Sequence, residues 1–427
     1  MRKSIRIFQY ITIALLAVIT STAFSQTHFP RGTHDVFITK SYEIRANLLQ
    51  NIAPVIEKSI QEGYYPGAVV LIGHKGKIIY RGVFGNRRIV PDIAPMQFNT
   101  IFDIASLTKV VATTPAIMQL VEQGKFDLDA PVAKYWPAFA KGGKNNITIR
   151  QLLTHTSGLP PEIKHQENIP NENDLLEKIS ELNIRPASQK TFIYSDVNFI
   201  ILAHLIKIIS GERIDQYTKN HIYKPLGMTN TQFVPPAKLR HRIAPTELIN
   251  GHLRWGQAQD PTAYAMGGIS GHAGLFSNAN DLGIYAQSLL NGGKILDKQS
   301  NKKNRQHHFL GPLAIAKMTT PQTPDYIAET RGLGWDIDSP FSNRGVLLPL
   351  YSYGHSGWTG TSIWIDPATK TWIVILTSRA HPKPAKSNQL IQDRRTIANI
   401  VSASLIDVHD VSLNNTGRGE IKRAFAK

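Results

Sequence analysis

Apolar residues recur at helical spacing near the start of the chain, in residues 41–63. A period of 3.6 residues places them on one face, which predicts an amphipathic helix. The residues on that face are Ile44, Leu48, Ile52, Val55, Ile56 and Ile60. Two apolar runs follow, over 68–73 and 77–84, and they flank His74-Lys75-Gly76. Short apolar runs on either side of a glycine-containing turn predict a β-hairpin.

The rest of the chain shows the same two patterns in separate blocks. Residues 109 to about 240 have mostly helical periodicity, broken by loops. Strand patterns return late, over residues 332–337, 359–365 and 371–377. Strands at both ends of a chain with helices between them are typical of an antiparallel sheet closed by early and late strands.

This order predicts an α+β fold, in which helices flank an antiparallel sheet and a helical segment is inserted. We expect residues 41–108 and 329–407 to form the α/β domain with the sheet. Residues 109–328 should form a mostly helical domain. The polar stretch 408–427 is expected to be a loosely held, flexible tail.

The first 25 residues have the pattern of an export signal. A basic start precedes a short apolar core over 11–19, and Ala23-Phe24-Ser25 then offers small residues, Ala23 and Ser25, at the spacing of a cleavage site. The apolar core is shorter than a membrane span requires. We therefore predict that residues 1–25 are a signal peptide and that the protein is exported to the periplasm. An uncleaved leader would associate it with the membrane.

Composition narrows the set of partners. The chain has 427 residues, a net charge of +17 and no cysteine. Its basic residues are scattered, without the basic helix or aromatic–basic repeat that nucleic-acid binding needs, so no nucleic acid is expected. A basic exported protein suits anionic envelope polymers or membrane surfaces. His307-His308 lacks a spaced third ligand, so neither a metal nor a cofactor is expected.

The strongest chemical signal is Ser106-x-x-Lys109. A lysine three residues after a serine lies on the same helix face, where its amine can take the proton of the hydroxyl. Apolar residues follow the motif at helical spacing, which predicts a buried helix that begins at the serine. A second Ser-x-x-Lys, at 300–303, lies in a polar basic stretch typical of a solvated loop.

Tyr194 is a candidate partner for this pair. It precedes Ser195-Asp196 and a long apolar run of helical character. A nearby ammonium stabilises a phenolate, so Tyr194 could share the proton with Lys109.

The third candidate segment is His355-Ser356-Gly357, which leads into the strand pattern that begins at Trp358. A glycine at this place lets a substrate approach the backbone. The amide that follows the glycine could donate to an oxyanion.

The three motifs in this order resemble the serine β-lactamase and penicillin-binding protein superfamily, in its class C-like branch. The matches, in chain order, are Ser106-Leu107-Thr108-Lys109, Tyr194-Ser195-Asp196 and His355-Ser356-Gly357. The stretches 267–277 and 354–360 look closest to the penicillin-binding protein 4B type. The resemblance implies a β-lactamase/transpeptidase-like fold, an α/β sandwich with an all-helical insertion.

The resemblance also implies a role for each candidate residue. Ser106 would be the acylated nucleophile, and Lys109 with Tyr194 would pass its proton to the leaving group. The backbone amides of Ser106 and Trp358 would form the oxyanion hole, and His355 would face the substrate's carboxylate or the tyrosine. The remaining candidate substrate-binding residues are Asp196, Ser356 and Gly357.

Asp196 departs from the family, which has asparagine at this place. An amide donates and accepts hydrogen bonds, whereas a carboxylate only accepts. Asp196 can still pair with Lys109, which would raise the pKa of the lysine and make Tyr194 the better base. It also removes a donor to the substrate's amide oxygen, so we do not expect efficient β-lactam hydrolysis.

We therefore expect an exported serine hydrolase that acts through an acyl-enzyme. The preferred reaction is that of a penicillin-binding D-alanyl-D-alanine carboxypeptidase on peptidoglycan peptides, with β-lactams as covalent ligands. Three alternatives stay open. They are an esterase or D-amino-acid amidase acting on a small acyl substrate, a weak class C-like β-lactamase, and a non-catalytic peptidoglycan-binding module.

Overall fold

The computed structural model describes residues 32–36, 44–163, 171–184, 190–295, 307–385, 388–406 and 408. The predicted signal peptide, the second Ser-x-x-Lys at 300–303 and all of the predicted tail except residue 408 lie outside these residues. Within the described ranges, no helix combines the length and apolar character needed to cross a membrane.

A large antiparallel sheet organises the fold. The strands are β1 (Thr33–Val36), β2 (Gly67–His74), β3 (Lys77–Arg88), β4 (Ala94–Pro95), β5 (Phe102–Asp103), β6 (Gln232–Phe233), β7 (Leu248–Ile249), β8 (His252–Leu253), β9 (Leu275–Ser277), β10 (Thr330–Arg331), β11 (Asp336–Asp338), β12 (Tyr353–Ser356), β13 (Thr361–Asp366) and β14 (Thr371–Thr377). Nine of them form the sheet in the order β1-β3-β2-β14-β13-β12-β11-β10, with β4 paired to β3. The predicted hairpin of β2 and β3 is confirmed.

Early and late strands meet at the centre of this sheet, as the order of patterns predicted. β2 pairs antiparallel with β14, with Ala68 opposite Thr377 and His74 opposite Thr371. Both strands are buried along their whole length, which explains why their sequences are nearly continuous apolar runs. The antiparallel sheet flanked by helices agrees with the predicted fold class.

Helices cover both faces of the sheet and form most of the middle of the chain. They are α1 (Ala46–Leu49), α2 (Ile52–Gln61), α3 (Thr114–Glu122), α4 (Ile149–Leu153), α5 (Glu172–Glu181), α6 (Asp196–Ser210), α7 (Ile214–Thr218), α8 (Lys224–Leu226), α9 (Pro261–Ala265), α10 (Ala279–Leu290), α11 (Pro312–Thr319) and α12 (Gln389–Ser404). α2 and α12 pack together on one face, and α10 packs on β2 and β14 from the other. The helix predicted over 41–63 is divided, because α1 and α2 are separate.

Two predicted strand boundaries are wrong. The strand expected over 332–337 begins only at Asp336, with β11. The other boundary concerns the third motif. His355 and Ser356 end strand β12 rather than precede a strand, and the strand expected from Trp358 begins at Thr361. A tight turn separates the two strands, since Gly360 N donates to Gly357 O at 3.0 Å. Gly360 has φ +108°, a conformation that favours glycine, and the sequence pattern did not resolve this turn.

Candidate active site

Ser106 lies in a short, unusual turn. It is the middle residue of the 3₁₀ turn Ala105–Leu107, and a π-helical turn, Lys109–Thr113, leads from it into α3. Ala105 has φ +45°, which is uncommon for a residue with a side chain. Such backbone strain persists only where surrounding contacts fix it.

Contacts from the turn between β12 and β13 fix the backbone just before the serine. The Thr359 hydroxyl donates to Asp103 O at 2.7 Å, and the Thr361 hydroxyl donates to Ile104 O at 3.1 Å. Gly357 packs closely against the same segment, because an added Cβ would lie 2.3 Å from Ile104 O. Hydrogen bonds between residues that flank the first and third motifs therefore hold the two motifs next to each other.

Lys109 is completely buried beside the serine. Its Nζ donates to Ser106 Oγ at 3.0 Å and to His272 O at 3.0 Å. It also forms an ion pair with Asp196 Oδ1 at 2.6 Å. Burial disfavours the ammonium, but the interactions with Asp196 and Tyr194 together outweigh burial and raise the pKa of Lys109 above its usual value. Lys109 is therefore an ammonium at neutral pH.

Tyr194 and Asp196 reach the cleft from the start of α6. The centroid of the Tyr194 ring lies 4.9 Å from Lys109 Nζ and 4.4 Å from that of the His155 ring. Ser195, between them, caps the helix, and its backbone N–H donates to His155 Nδ1 at 3.0 Å. The N-terminus of α6 thus presents a phenol and a carboxylate to the same ammonium.

His355 is buried, with 5% of its surface exposed. Its Nδ1–H donates to Ser356 O at 2.9 Å. Burial, then the charges of Arg331 and Lys109, lower the pKa of His355 well below its usual value. His355 is therefore a neutral imidazole at neutral pH, and it cannot supply a positive charge to a substrate carboxylate.

These residues surround one cleft of about 470 Å³. Six of the eight candidate residues line it: Ser106, Tyr194, Asp196, His355, Ser356 and Trp358. The other two are close by: Lys109 is buried beneath Ser106, and Gly357 lies between Ser356 and Trp358 against the serine turn. The structure therefore brings together all eight candidate residues, which come from three distant parts of the chain.

Asp260 also lines the cleft, and it pairs with the buried His272; no functional role was predicted for either residue. Their side chains are 2.7 Å apart, and His272 Nδ1 contacts Ser270 Oγ at 2.8 Å. Burial would raise the pKa of Asp260, but the interaction with His272 lowers it to about 2. No motif spacing links these residues to Ser106, so only the fold reveals them.

Asp196, Asp260 and His272 offer ligand atoms within 4.8 Å of one another, a geometry that a metal ion could use. Asp196 and His272 already have other partners within the protein. Lys109 supplies a positive charge to Asp196, and both ring nitrogens of His272 have partners. The cluster therefore fits an internal charge network better than a metal centre.

Asp103 is a second residue that sequence reasoning missed. Its carboxylate is buried and accepts from Ala105 N at 2.8 Å and Gln259 N at 2.6 Å, which joins the serine turn to the loop before α9. Burial raises the pKa of Asp103 to about 6, although both backbone hydrogen bonds oppose the shift. The signal in the sequence is an aspartate two residues before Ala105, in position for an Asx turn.

Comparison with known proteins identifies the fold and the family. Residues 52–396 match the family model described as Beta-lactamase. A relative from Escherichia coli (strain K12), named "Putative D-alanyl-D-alanine carboxypeptidase", is 33% identical over 365 residues, which cover 76% of this chain and 81% of the relative. The predicted superfamily is therefore confirmed.

Two solved structures share the fold. One is a penicillin-binding protein homologue from Caulobacter crescentus, with a TM-score of 0.68 and 18% identity, covering 87% of this chain and 100% of that chain. The other is a class C β-lactamase from Rhodobacter sphaeroides, with a TM-score of 0.63 and 18% identity, covering 82% of this chain and 98% of that chain. At these identities the likeness concerns the fold alone, and it agrees with the predicted β-lactamase/transpeptidase-like architecture.

The raised pKa of Asp103 gives a testable pH dependence. The folded protein binds the proton of the Asp103 carboxyl more tightly than the unfolded chain does. Protonated Asp103 therefore stabilises the fold fully below pH 4, and this stabilisation is lost as the pH rises through 6. When the pH is lowered from 7 to 5, the free energy of unfolding of the wild type, measured with urea, should rise by about 1 kcal/mol relative to that of Asp103→Asn. Asp129→Asn is the control, because Arg150 lowers the pKa of Asp129 and this carboxyl titrates below that range. An equal response of wild type and Asp103→Asn would contradict the assignment.

Proposed function

Because this chain belongs to the Beta-lactamase family, whose members include serine hydrolases, we propose that it hydrolyses its substrate through an acyl-enzyme formed on Ser106. The proposed reaction is the release of the terminal residue from D-alanyl-D-alanine peptides of peptidoglycan. The observation that carries the proposal is the 3.0 Å contact between Ser106 Oγ and Lys109 Nζ beside an open cleft. The name of the Escherichia coli relative supports the substrate class.

Charge decides how the proton moves in this mechanism. An ammonium has no lone pair and cannot accept the serine proton, so the acceptor is Tyr194 in its phenolate form, whose own proton is lost to solvent before the reaction, while Lys109 remains charged. Lys109 orients Ser106 Oγ and stabilises this phenolate, which becomes a neutral phenol when it takes the serine proton. Tyr194 then returns the proton to the leaving amine as the acyl-enzyme forms.

The oxyanion hole is assigned to the backbone amides of Ser106 and Trp358. Two threonine hydroxyls bond the segment before Ser106 to the turn that carries Trp358, so the distance between the two amides is fixed before substrate binds. Preorganised donors of this kind stabilise a tetrahedral intermediate without reorganisation during the reaction.

A peptidoglycan substrate requires an exported enzyme, and the leader pattern over 1–25 supports a periplasmic location. The basic charge of +17 suits an anionic envelope. β-Lactams would acylate the same serine as covalent ligands.

Replacement of the nucleophile tests the mechanism first. Ser106→Ala should abolish covalent labelling by a fluorescent penicillin and by a fluorophosphonate, because the proposed acyl bond forms on the Ser106 hydroxyl. Ser300→Ala, in the other Ser-x-x-Lys, is the matched control and should label at the wild-type rate. Circular dichroism should show that both variants are folded. Undiminished labelling of Ser106→Ala would remove this serine from the mechanism.

Asp196 is expected to limit β-lactam turnover, because it cannot donate to the substrate's amide oxygen. Asp196→Asn restores a donor of the same shape and should raise β-lactam hydrolysis by about tenfold, the effect of one hydrogen bond. The measurement is kcat/KM for a chromogenic cephalosporin. An unchanged or lower rate would show that a missing donor does not limit the reaction.

A comparison of substrates separates the carboxypeptidase from its alternatives. We expect the rate enhancement over the uncatalysed reaction to be larger for a D-alanyl-D-alanine peptide than for a p-nitrophenyl ester. The reverse order would indicate an esterase or D-amino-acid amidase. Tight binding to isolated peptidoglycan without turnover of any peptide or ester would indicate a binding module.

A further inference from the structure

Tyr194 lies in the loop just before α6, so its own helix does not fix its side chain. Proton transfer nevertheless requires the phenol oxygen to stay within hydrogen-bond reach of Ser106 Oγ. The ring of the buried His155 lies 4.4 Å from the Tyr194 ring, whereas those of Phe341 and His355 are 5.8 Å and 6.0 Å away. Phe341 is 53% exposed and is a weak support. His155 is therefore the best placed of these three rings to hold the phenol.

His155 also binds the backbone on both sides of Tyr194. Its carbonyl oxygen accepts from Ile193 N at 2.9 Å, and its Nδ1 accepts from Ser195 N at 3.0 Å. The imidazole stacks on the Tyr194 ring with an interplanar angle of 30°. One residue therefore contacts three consecutive positions, 193–195, and restricts both the backbone and the side chain of the tyrosine.

The hydrogen bond from Ser195 requires a neutral imidazole, because Nδ1 must keep its lone pair to accept it. Burial, followed by the charges of Arg331, Lys109 and His355, lowers the pKa of His155 well below its usual value. The acceptor is therefore present at neutral pH, and the proton of the neutral ring is on Nε2.

Two features of His155 reduce the stability of the fold. Its φ is +58°, in the left-handed region that is uncommon for a residue with a side chain. Its Nε2 is buried and has no hydrogen-bond partner among the residues that the structure describes. A buried donor without a partner is unfavourable, and backbone strain of this kind is concentrated at functional sites. Packing alone therefore does not account for a histidine at this place.

We propose that His155 is a positioning residue that holds Tyr194 beside Lys109. It acts by stacking on the phenol ring and by accepting the hydrogen bond from Ser195 N. This inference rests on the proposed function, because it assumes that Tyr194 accepts the serine proton. His155 has no exposed surface and is not among the residues that line the cleft, so it does not contact substrate. Its replacement should therefore slow acylation without weakening reversible binding.

Two variants separate the two side-chain contacts. His155→Asn keeps an acceptor near the place of Nδ1 and tolerates a positive φ, but it loses the ring. His155→Phe keeps a ring but cannot accept the hydrogen bond from Ser195. Both should lower kinact, the rate constant of fluorophosphonate labelling, by about 10- to 100-fold, because small displacements of a reacting group have effects of this size. KI, the constant for reversible binding of the fluorophosphonate, should not change.

A double-mutant cycle with Tyr194→Phe shows whether His155 acts through the phenol. If it does, the addition of His155→Asn to Tyr194→Phe should lower kinact no further, because the group that it positions is already absent. A further loss as large as that in the wild-type background would overturn the proposal. Wild-type values of kinact in both single His155 variants would also overturn it.

His204→Asn and His204→Phe are the matched controls. His204 is a half-buried histidine that lies more than two turns along α6 from Asp196, with its ring 4.7 Å from that of Trp136. Both variants should have the wild-type kinact, and losses as large as those of the His155 variants would overturn the proposal. Circular dichroism should show that each variant is folded, and His155→Asn provides a readable variant if His155→Phe disrupts folding.

A structural arm separates failure of this inference from failure of the proposed function. Labelling of Tyr194→Phe at the wild-type rate would show that the proposed proton acceptor is wrong. Crystal structures of the wild type and His155→Asn then test the positioning role without reference to turnover. A phenol ring displaced from Lys109 Nζ, with the ion pair of Lys109 and Asp196 retained, would support the positioning role. A ring in its wild-type place would overturn it.

Discussion

The buried ion pair between Lys109 and Asp196 is the interaction on which the site depends. Nζ and Oδ1 are 2.6 Å apart in a place where the lysine has no exposed surface. An ammonium without this carboxylate would be disfavoured there by burial. With it, the lysine stays charged and orients Ser106 Oγ, while Tyr194 lies next to the positive charge. In the proposed mechanism, one substitution relative to the family pattern, aspartate for asparagine, thereby decides which group accepts the proton.

The fold makes this arrangement possible by bringing distant segments to one edge of the helical region. Lys109 contacts the start of α6 through Asp196, and it contacts the stretch 267–277 through His272 O. The late turn between β12 and β13 bonds to the backbone that precedes Ser106. The sheet pairs early and late strands, so the turn and the serine approach each other without any sequence proximity. Stability of the sheet and geometry of the site are therefore coupled.

Local patterns were sufficient for part of this account. The period of apolar residues predicted the β2–β3 hairpin, and the order of strands and helices predicted the antiparallel sheet. The spacing of Ser106 and Lys109 predicted their contact, and the hydrogen-bonding capacity of Asp196 predicted its pairing with Lys109. Each of these inferences uses only neighbours along the chain or the chemistry of one side chain.

Other features depend on tertiary packing, which no local pattern contains. The strand boundary at Trp358 was wrong because the turn that ends at Gly360 is stabilised by bonds to β13. Asp103 and Asp260 were missed since no motif spacing links them to Ser106, and the bond from Gln259 N to Asp103 forms only in the folded chain. His355 is neutral because it is buried near Arg331 and Lys109, and burial cannot be read from its motif. The β5-β9-β6 sheet has strands of two or three residues, too short to show a period.

The most direct test of the central interaction is the pH dependence of the acylation rate at Ser106, measured with a fluorophosphonate for wild type and Asp196→Asn. The negative charge of Asp196 raises the pKa of Lys109 and opposes the loss of a proton from the site, so its neutralisation should make the active form available at lower pH. The rising limb of the profile should therefore shift to lower pH in Asp196→Asn. Superimposable profiles would contradict it, because the carboxylate would then have no influence on the proton that leaves the site.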